Sequence, residues 1–207
     1  MTARGSSGNR WRMRQDRDPY VDEALRRGFR SRAVFKLEQI QTKVRILRRG
    51  MVCIDLGASP GSWSQFAARA VGDGGAVLAV DVLPMDPIPG VSFVLGDFTE
   101  PGIAGELAAR LGARRADLVM SDMAPNMSGN RAIDQPRSME LAEAAFAFAE
   151  QVLKSGGGFL VKLFQGAGLD AYVRDVEGRF GSVRRVKPRA SRPQSREIYL
   201  LARDYRM

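Results

Sequence analysis

The sequence predicts an α/β protein: one doubly wound, mostly parallel sheet with helices on both faces and its last strand antiparallel. Three observations predict it. Short apolar runs alternate with helical patterns from residue 51 to residue 202. The first of these runs breaks into a glycine turn, Gly57-Ala58-Ser59-Pro60-Gly61, with a helical pattern directly behind it. Apolar runs lead into Asp55, Asp81, Asp97 and Asp122, which sets carboxylates at or just past strand ends. In open α/β sheets ligands bind beyond those carboxyl ends.

Residues 1 to about 18 are rich in Gly, Ser, Arg and Asn and read as mobile when free. A basic N-terminal segment over 1–30 then precedes a single domain over 31–207. Ser31 can cap a helix running to about Thr42, with Ala33, Leu37 and Ile40 on one face. Met51 to Ile54 is a strand ended by Asp55, Ser62 to Val71 a helix, and Ala76 to Val80 a strand ended by Asp81. Pro84 to Gly90 is a loop, and Val91 to Leu95 a short strand leading to Gly96-Asp97-Phe98. A helix fits Ile103 to Leu111, and Ala116 to Ser121 is a strand before Asp122. Met123 to Pro136 lacks periodicity and carries Pro125, Gly129 and Pro136, so it reads as a long loop. Ser138 to Lys154 is a helix rich in Ala and Glu, stopped by Gly156-Gly157-Gly158. Phe159 to Phe164 is a strand and Leu169 to Gly178 a helix. Val183 to Val186 and Glu197 to Ala202 close the sheet as an antiparallel hairpin, for seven strands.

Composition narrows the chemistry. A chain of 207 residues suits one domain with a proper core. Its one cysteine, Cys53, excludes an internal disulfide and fits a reducing compartment, so a cytoplasmic protein is expected. There is no histidine, which removes Ser-His-Asp triads and most zinc sites. No apolar run has the length of a membrane span, and the start lacks a signal-peptide core. The acidic Asp16, Asp18, Asp22 and Glu23 argue against a transit peptide. The net charge of +9 is uneven: +9 over residues 1–50, −7 over 51–177 and +7 over 178–207. Basic ends around an acidic middle suit a polyanion held by the ends and a cationic cofactor in the middle.

The glycine turn and Asp81 specify the ligand further. Gly57 and Gly61 let the backbone approach a ligand closely. Asp81 falls 20 residues after Gly61, at the tip of the second strand, where a carboxylate meets the hydroxyls of a ribose. The turn is not G-x-G-x-x-G, and no Gly-Lys-Ser/Thr follows, so NAD and P-loop sites are excluded. An adenosine-containing cofactor remains.

Asp55-Leu56-Gly57-Ala58-Ser59-Pro60-Gly61-Ser62-Trp63 resembles the first motif of S-adenosylmethionine-dependent methyltransferases. Its Pro-Gly-x-Trp ending resembles the FtsJ-type RNA 2′-O-methyltransferases, and the likeness extends from about Ser31 to Arg203. The resemblance implies the class I methyltransferase sheet and S-adenosylmethionine as cofactor, in a site that includes Asp55 and Gly57. It implies Gly61 and Trp63 at the methionine half, Asp81 at the ribose, Asp97 with Phe98 at the adenine, and Asp122 beside the sulfonium. It also implies a large-subunit ribosomal RNA substrate, a uridine of 23S RNA within a ribosomal particle, and a monomer that binds no membrane.

Lys162 stands out from the residues themselves. It lies in Phe159-Leu160-Val161-Lys162-Leu163-Phe164, a strand that tolerates a charge only if it is paired or reaches a cleft. Lysine is scarce here, 5 among 32 basic residues, and unlike arginine it can be tuned to act as a base. Lys36 alone would be a solvated helix residue, and Glu197 alone a charged strand end. Together Lys36, Asp122, Lys162 and Glu197 resemble, in order and local context, the Lys-Asp-Lys-Glu tetrad of the 2′-O-methyltransferases. A ribose hydroxyl is a poor nucleophile, so the enzyme must align it and find a place for its proton. A neutral Lys162 could take that proton; a charged Lys162 could steer the hydroxyl while water takes it. No metal is required. The same motifs would serve a methyltransferase acting on transfer RNA or an mRNA cap. A non-catalytic ribosome-assembly factor is the reading of a different class.

Overall fold

The computed structural model describes residues 18–207. Over these residues the elements run α1 (Pro19–Arg26), α2 (Val34–Val44), β1 (Val52–Leu56), α3 (Ser62–Val71), β2 (Ala76–Asp81), β3 (Val91–Leu95), α4 (Pro101–Leu111), β4 (Ala116–Ser121), α5 (Arg131–Val152), β5 (Leu153–Phe164), α6 (Leu169–Arg179), β6 (Phe180–Val186) and β7 (Glu197–Tyr205). The strands form one sheet in the order β3-β2-β1-β4-β5-β7-β6. β1 to β5 are parallel, and β7 runs antiparallel between β5 and β6. The strand order reverses between β1 and β4, which opens a crevice beyond their carboxyl ends.

Burial explains the layers. All five residues of β1 are buried, as a strand covered on both faces requires. On one face Ile54, Val119 and Val161 pack with Leu107, Phe148 and Val176 from α4, α5 and α6. On the other, Cys53, Met120 and Leu160 pack with Leu37, Ile40 and Trp63 from α2 and α3. Leu37 and Ile40 are fully buried, and each contributes roughly 1.5–3 kcal/mol to holding α2 on the sheet. That fixes the helix which carries Lys36.

Three departures from the sequence expectation have a local physical reason. Ser31 does not open α2, which starts at Val34; its hydroxyl instead lies 2.7 Å from the Ser62 hydroxyl and accepts the Ala33 N–H at 3.3 Å. The loop expected up to Pro136 ends at Asn130, whose side chain caps α5 by accepting the Ala132 N–H. Pro136 therefore sits inside a helix, carried by the burial of its neighbours Asp134, Gln135, Ser138 and Met139. Gly156-Gly157-Gly158 does not stop that helix. α5 passes directly into β5 at Leu153, and the glycines form an irregularity inside the strand, between the Ala116↔Leu153 and Leu118↔Gly158 pairs. Gly156 has φ +75°, and a Cβ on Gly157 would sit 2.8 Å from the Lys154 carbonyl. These glycines serve close strand packing, which from sequence looks the same as a helix stop.

Residues 18–30, read as part of the basic segment, belong to the folded body. Asp18 caps α1 by accepting the Tyr20 N–H, and Ala24 and Phe29 are buried against Phe35 and Ala190. Residues 1–17, Trp11 among them, lie outside the described residues.

Candidate active site

Asp122 follows directly after β4, and three elements converge on it. Lys162 of β5 places Nζ 3.1 Å from Asp122 Oδ1 and donates to the Asp122 carbonyl. Lys36 of α2 places Nζ 3.5 Å from the same Oδ1 and 3.1 Å from Glu197 Oε1. Tyr199 donates its hydroxyl to Asp122 Oδ1 at 2.6 Å. The side chains of Lys36, Asp122, Lys162 and Glu197 are 8–16% exposed, so these charges are sheltered from water. Two ammonium groups face two carboxylates, and the formal charges cancel. Burial pushes the Asp122 carboxyl up, but Lys162, Lys36 and the Tyr199 hydrogen bond outweigh it and hold it below the ordinary carboxylate range. Glu197 Oε1 is buried and, apart from the Lys36 ion pair, has no hydrogen-bond donor.

Strand register builds this cluster. Lys162 pairs with Tyr199 and Phe164 with Glu197 across β5 and β7. Directly opposed residues share a face, so Lys162, Tyr199 and Glu197 all point toward α2. Lys36, which alone would read as solvated, is drawn in by that same packing. Tyr199 escaped the sequence reading. The signal available was its spacing of two from Glu197, which puts both on one face of a strand.

Next to the cluster lies a cleft of about 470 Å³, with Asp122 in its wall. Gly57, Asp81, Asp97 and Phe98 line it as well. Asp81 closes β2 and accepts the N–H groups of Ser59 and Leu83, both at 2.8 Å. Asp97 Oδ1 accepts from the Thr99 N–H and hydroxyl. Phe98 packs edge-on against Phe148 at 5.8 Å and makes a fixed wall. Gly57 has φ +71°, and a Cβ there would lie 2.1 Å from Met123 Cγ, so only glycine lets the two loops of the cleft meet.

Residues 29–205 match the family described as FtsJ-like methyltransferase. The chain belongs to the FtsJ-like methyltransferase family. A solved structure described as a ribosomal RNA methyltransferase from Plasmodium falciparum is 30% identical, with TM-score 0.79 over 86% of this chain and 98% of that one. One described as an rRNA methylase from Clostridium thermocellum is 17% identical, with TM-score 0.57 over 81% and 96%. Human methyltransferase-like protein 13, solved with SAH, is 15% identical, with TM-score 0.59 over 81% of each chain. These last two share the fold.

S-adenosylmethionine is the cofactor of this FtsJ-like methyltransferase, and the cleft fits it. Asp81, Asp97 and Asp122 surround a space that suits a cationic ligand with ribose and amino donors, and the side-chain-free Gly57 leaves room for it. Three other residues expected at the cofactor are not in the cleft wall. Asp55 is 1% exposed, beneath the rim, and accepts the Ser64 hydroxyl at 2.6 Å. Burial pushes its carboxyl up to about 7, against the opposing Ser64 hydrogen bond. Gly61, at φ +106°, is required by the 84–90 loop, since a Cβ would lie 2.5 Å from Ile88 Cδ1. The Trp63 ring packs on Tyr199 at 5.8 Å and its indole N–H donates to the Ala33 carbonyl, so it braces α2. Among the described residues no cluster of three His, Cys, Asp or Glu is placed to hold a metal ion.

On the far side of Lys36 and Glu197 a second cavity, of about 420 Å³, opens to solvent. Arg32 and Arg192 line it together with Gln194 and Ser195. The methyltransferase thus has an acidic cleft and a basic cavity, with the charged cluster between them.

Proposed function

We propose that this methyltransferase transfers a methyl group from S-adenosylmethionine to a ribose 2′-hydroxyl of RNA, at a uridine of 23S ribosomal RNA in the large subunit, within a cytoplasmic ribosomal particle. The observation that carries this is the Lys36–Asp122–Lys162–Glu197 cluster, set between the acidic cleft and the basic cavity. The 30% identical relative described as a ribosomal RNA methyltransferase, and the basic charge at both chain ends, support an RNA substrate.

The geometry supports a division of labour. Asp81 and Asp97 hold the cofactor, which supplies a methyl group already activated on sulfonium. The basic cavity takes the RNA backbone, and the target hydroxyl reaches Lys162 from that side. Asp122 holds Lys162 through its carbonyl and carboxylate, so the amine is oriented before substrate arrives. Lys162, as the neutral amine, would receive the hydroxyl proton at Nζ as the oxygen attacks. Lys36 bridges Asp122 and Glu197 and so fixes the far side of Asp122.

The test is methyl transfer from labelled S-adenosylmethionine to 23S RNA, offered naked and as isolated large subunits, followed by mapping of 2′-O-methyl positions. One new 2′-O-methyl uridine supports the reading. Label on a base, or on transfer RNA in preference to either substrate, would overturn it.

A further inference from the structure

Tyr199 touches the catalytic cluster from beneath and does so with every part of its side chain. It is fully buried in a strand interior, directly opposite Lys162. Its hydroxyl donates to Asp122 Oδ1 at 2.6 Å. The Lys36 ammonium sits 5.7 Å from its ring centroid, over the ring. The ring also packs on Trp63, whose indole is tied to Ala33 at the start of α2. The ring therefore rests between the helix bearing Lys36 and the strand bearing Lys162, and its hydroxyl reaches the carboxylate that both lysines share.

A carboxylate just beyond a strand, between two ammonium groups, has more than one way to satisfy them. It can rotate to give each lysine an oxygen, or swing toward one and release the other. The O–H of a buried phenol, its ring held by Trp63 and Lys36, selects among these. We propose that Tyr199 is a positioning residue for methyl transfer: it locks the Asp122 carboxylate in the orientation that aims Lys162 at the acceptor hydroxyl. Burial and the neighbouring carboxylates raise the phenol well above its ordinary value, so it stays an O–H donor at any working pH. The charged groups around this pair are Lys36 from α2, Lys162 from β5, Glu197 on β7 itself and Asp55 from β1.

This inference rests on the methyl-transfer reading above, and Tyr199→Phe separates the two. The variant keeps the ring, its Trp63 contact and its cation–π contact, and deletes only the O–H. The expected result is a fall in kcat of about tenfold or more, the scale of a hydrogen bond to a charged group. KM for RNA, the cofactor Kd by calorimetry and Tm should stay near wild type. With one donor to its charged form gone, Asp122 titrates higher, so the acid limb of the kcat profile moves up in pH. A kcat within twofold of wild type overturns the proposal. So does a loss of kcat, cofactor binding and Tm together, which would mark Tyr199 as packing alone. If the wild-type chain fails to methylate ribosomal RNA, the substrate reading fails instead. The Asp122 carboxyl can then be followed directly by carbon NMR titration, and an unchanged midpoint in Tyr199→Phe overturns the positioning role.

Discussion

The two sides of the rim are built in opposite ways. The cofactor side comes largely from residues 55–98, closed by residues 122–126, and its carboxylates at Asp55, Asp81 and Asp97 have no ion-pair partner within 4 Å among the described residues. The charged-cluster side draws Lys36, Asp122, Lys162 and Glu197 from four distant segments, and its formal charges cancel. Asp55 and Asp122 make the contrast sharpest, since they lie at the ends of the adjacent strands β1 and β4. Both are buried. Asp55, with only a serine hydroxyl, is pushed up to about 7; Asp122, with two lysines and a tyrosine, is held below the ordinary range. Burial alone therefore does not set the charge of a carboxylate here; the cation brought to it does. One side is left ready for a cation, and the other carries its own.

The largest effect expected from breaking this balance is at Lys162. Lys162→Ala should fold and bind cofactor but lose methyl transfer by about a hundredfold or more, the scale of general-base contributions. Lys162→Arg should also fail, because a guanidinium restores the charge but cannot accept a proton. Steady-state rates for both variants decide the matter. Near-normal turnover by Lys162→Arg would make Lys162 an electrostatic positioner and pass the proton to water.

The same contrast limits what could be seen in the sequence. The cofactor side was legible because its residues are local: α3, β2, β3 and β4 have the expected bounds, and Asp81 falls on the last residue of its strand. The charged-cluster side was legible only where a motif carried it. Tyr199 is opposite Lys162 through a pairing between residues 37 apart, and no local pattern announces that partner. Trp63 stood inside a recognised motif, yet its ring serves the brace under α2. Gly156-Gly157-Gly158 misled because glycine marks both helix ends and close strand packing, and only β4 decides between them. Pro136 misled because tertiary burial overrode its dislike of helix interiors.

Asp55→Asn tests the uncompensated side and should stabilise the fold. The ordinary value is 3.8 and the folded value about 7, so between them the native state holds a proton that the unfolded chain has released. Stability therefore falls as pH rises from roughly 4 to 7, and the penalty is fully present above that window. Asparagine cannot ionise and still accepts from Ser64. Above pH 7 the variant should gain on the order of 2–4 kcal/mol, the free energy that separates a carboxyl titrating at 3.8 from one titrating at about 7. Asp122 runs the other way: its contribution is present above the ordinary carboxyl value and lost as pH falls through its lower folded value. Denaturant unfolding at pH 5 and pH 8 reads the difference. An Asp55→Asn variant less stable than wild type at pH 8 would mean that the carboxylate is compensated after all.

A smaller effect is expected at Asp81. Its carboxylate already holds the backbone of Ser59 and Leu83, and it lines the cleft. Asp81→Ala should weaken S-adenosylmethionine by about 1–3 kcal/mol, the cost of stranding hydrogen-bond partners. Calorimetry with equal affinities for both proteins would remove Asp81 from the cofactor site.

The smallest effect concerns the basic N-terminal segment. Residues 1–17 hold five arginines and one aspartate and lie ahead of the folded helix α1. Deleting them leaves Asp18 in place as the cap of that helix. If their charge meets RNA phosphates, each lost contact removes about 0.7–0.9 from the slope of log K against log salt. At moderate salt the affinity should then fall by roughly threefold to tenfold. Cofactor affinity, set inside a cleft by hydrogen bonds and short-range charge, should not respond to the deletion. RNA titrations at several salt concentrations, with and without residues 1–17, give the slope directly. An unchanged slope would leave RNA binding to arginines of the folded body, Arg192 in the cavity wall among them.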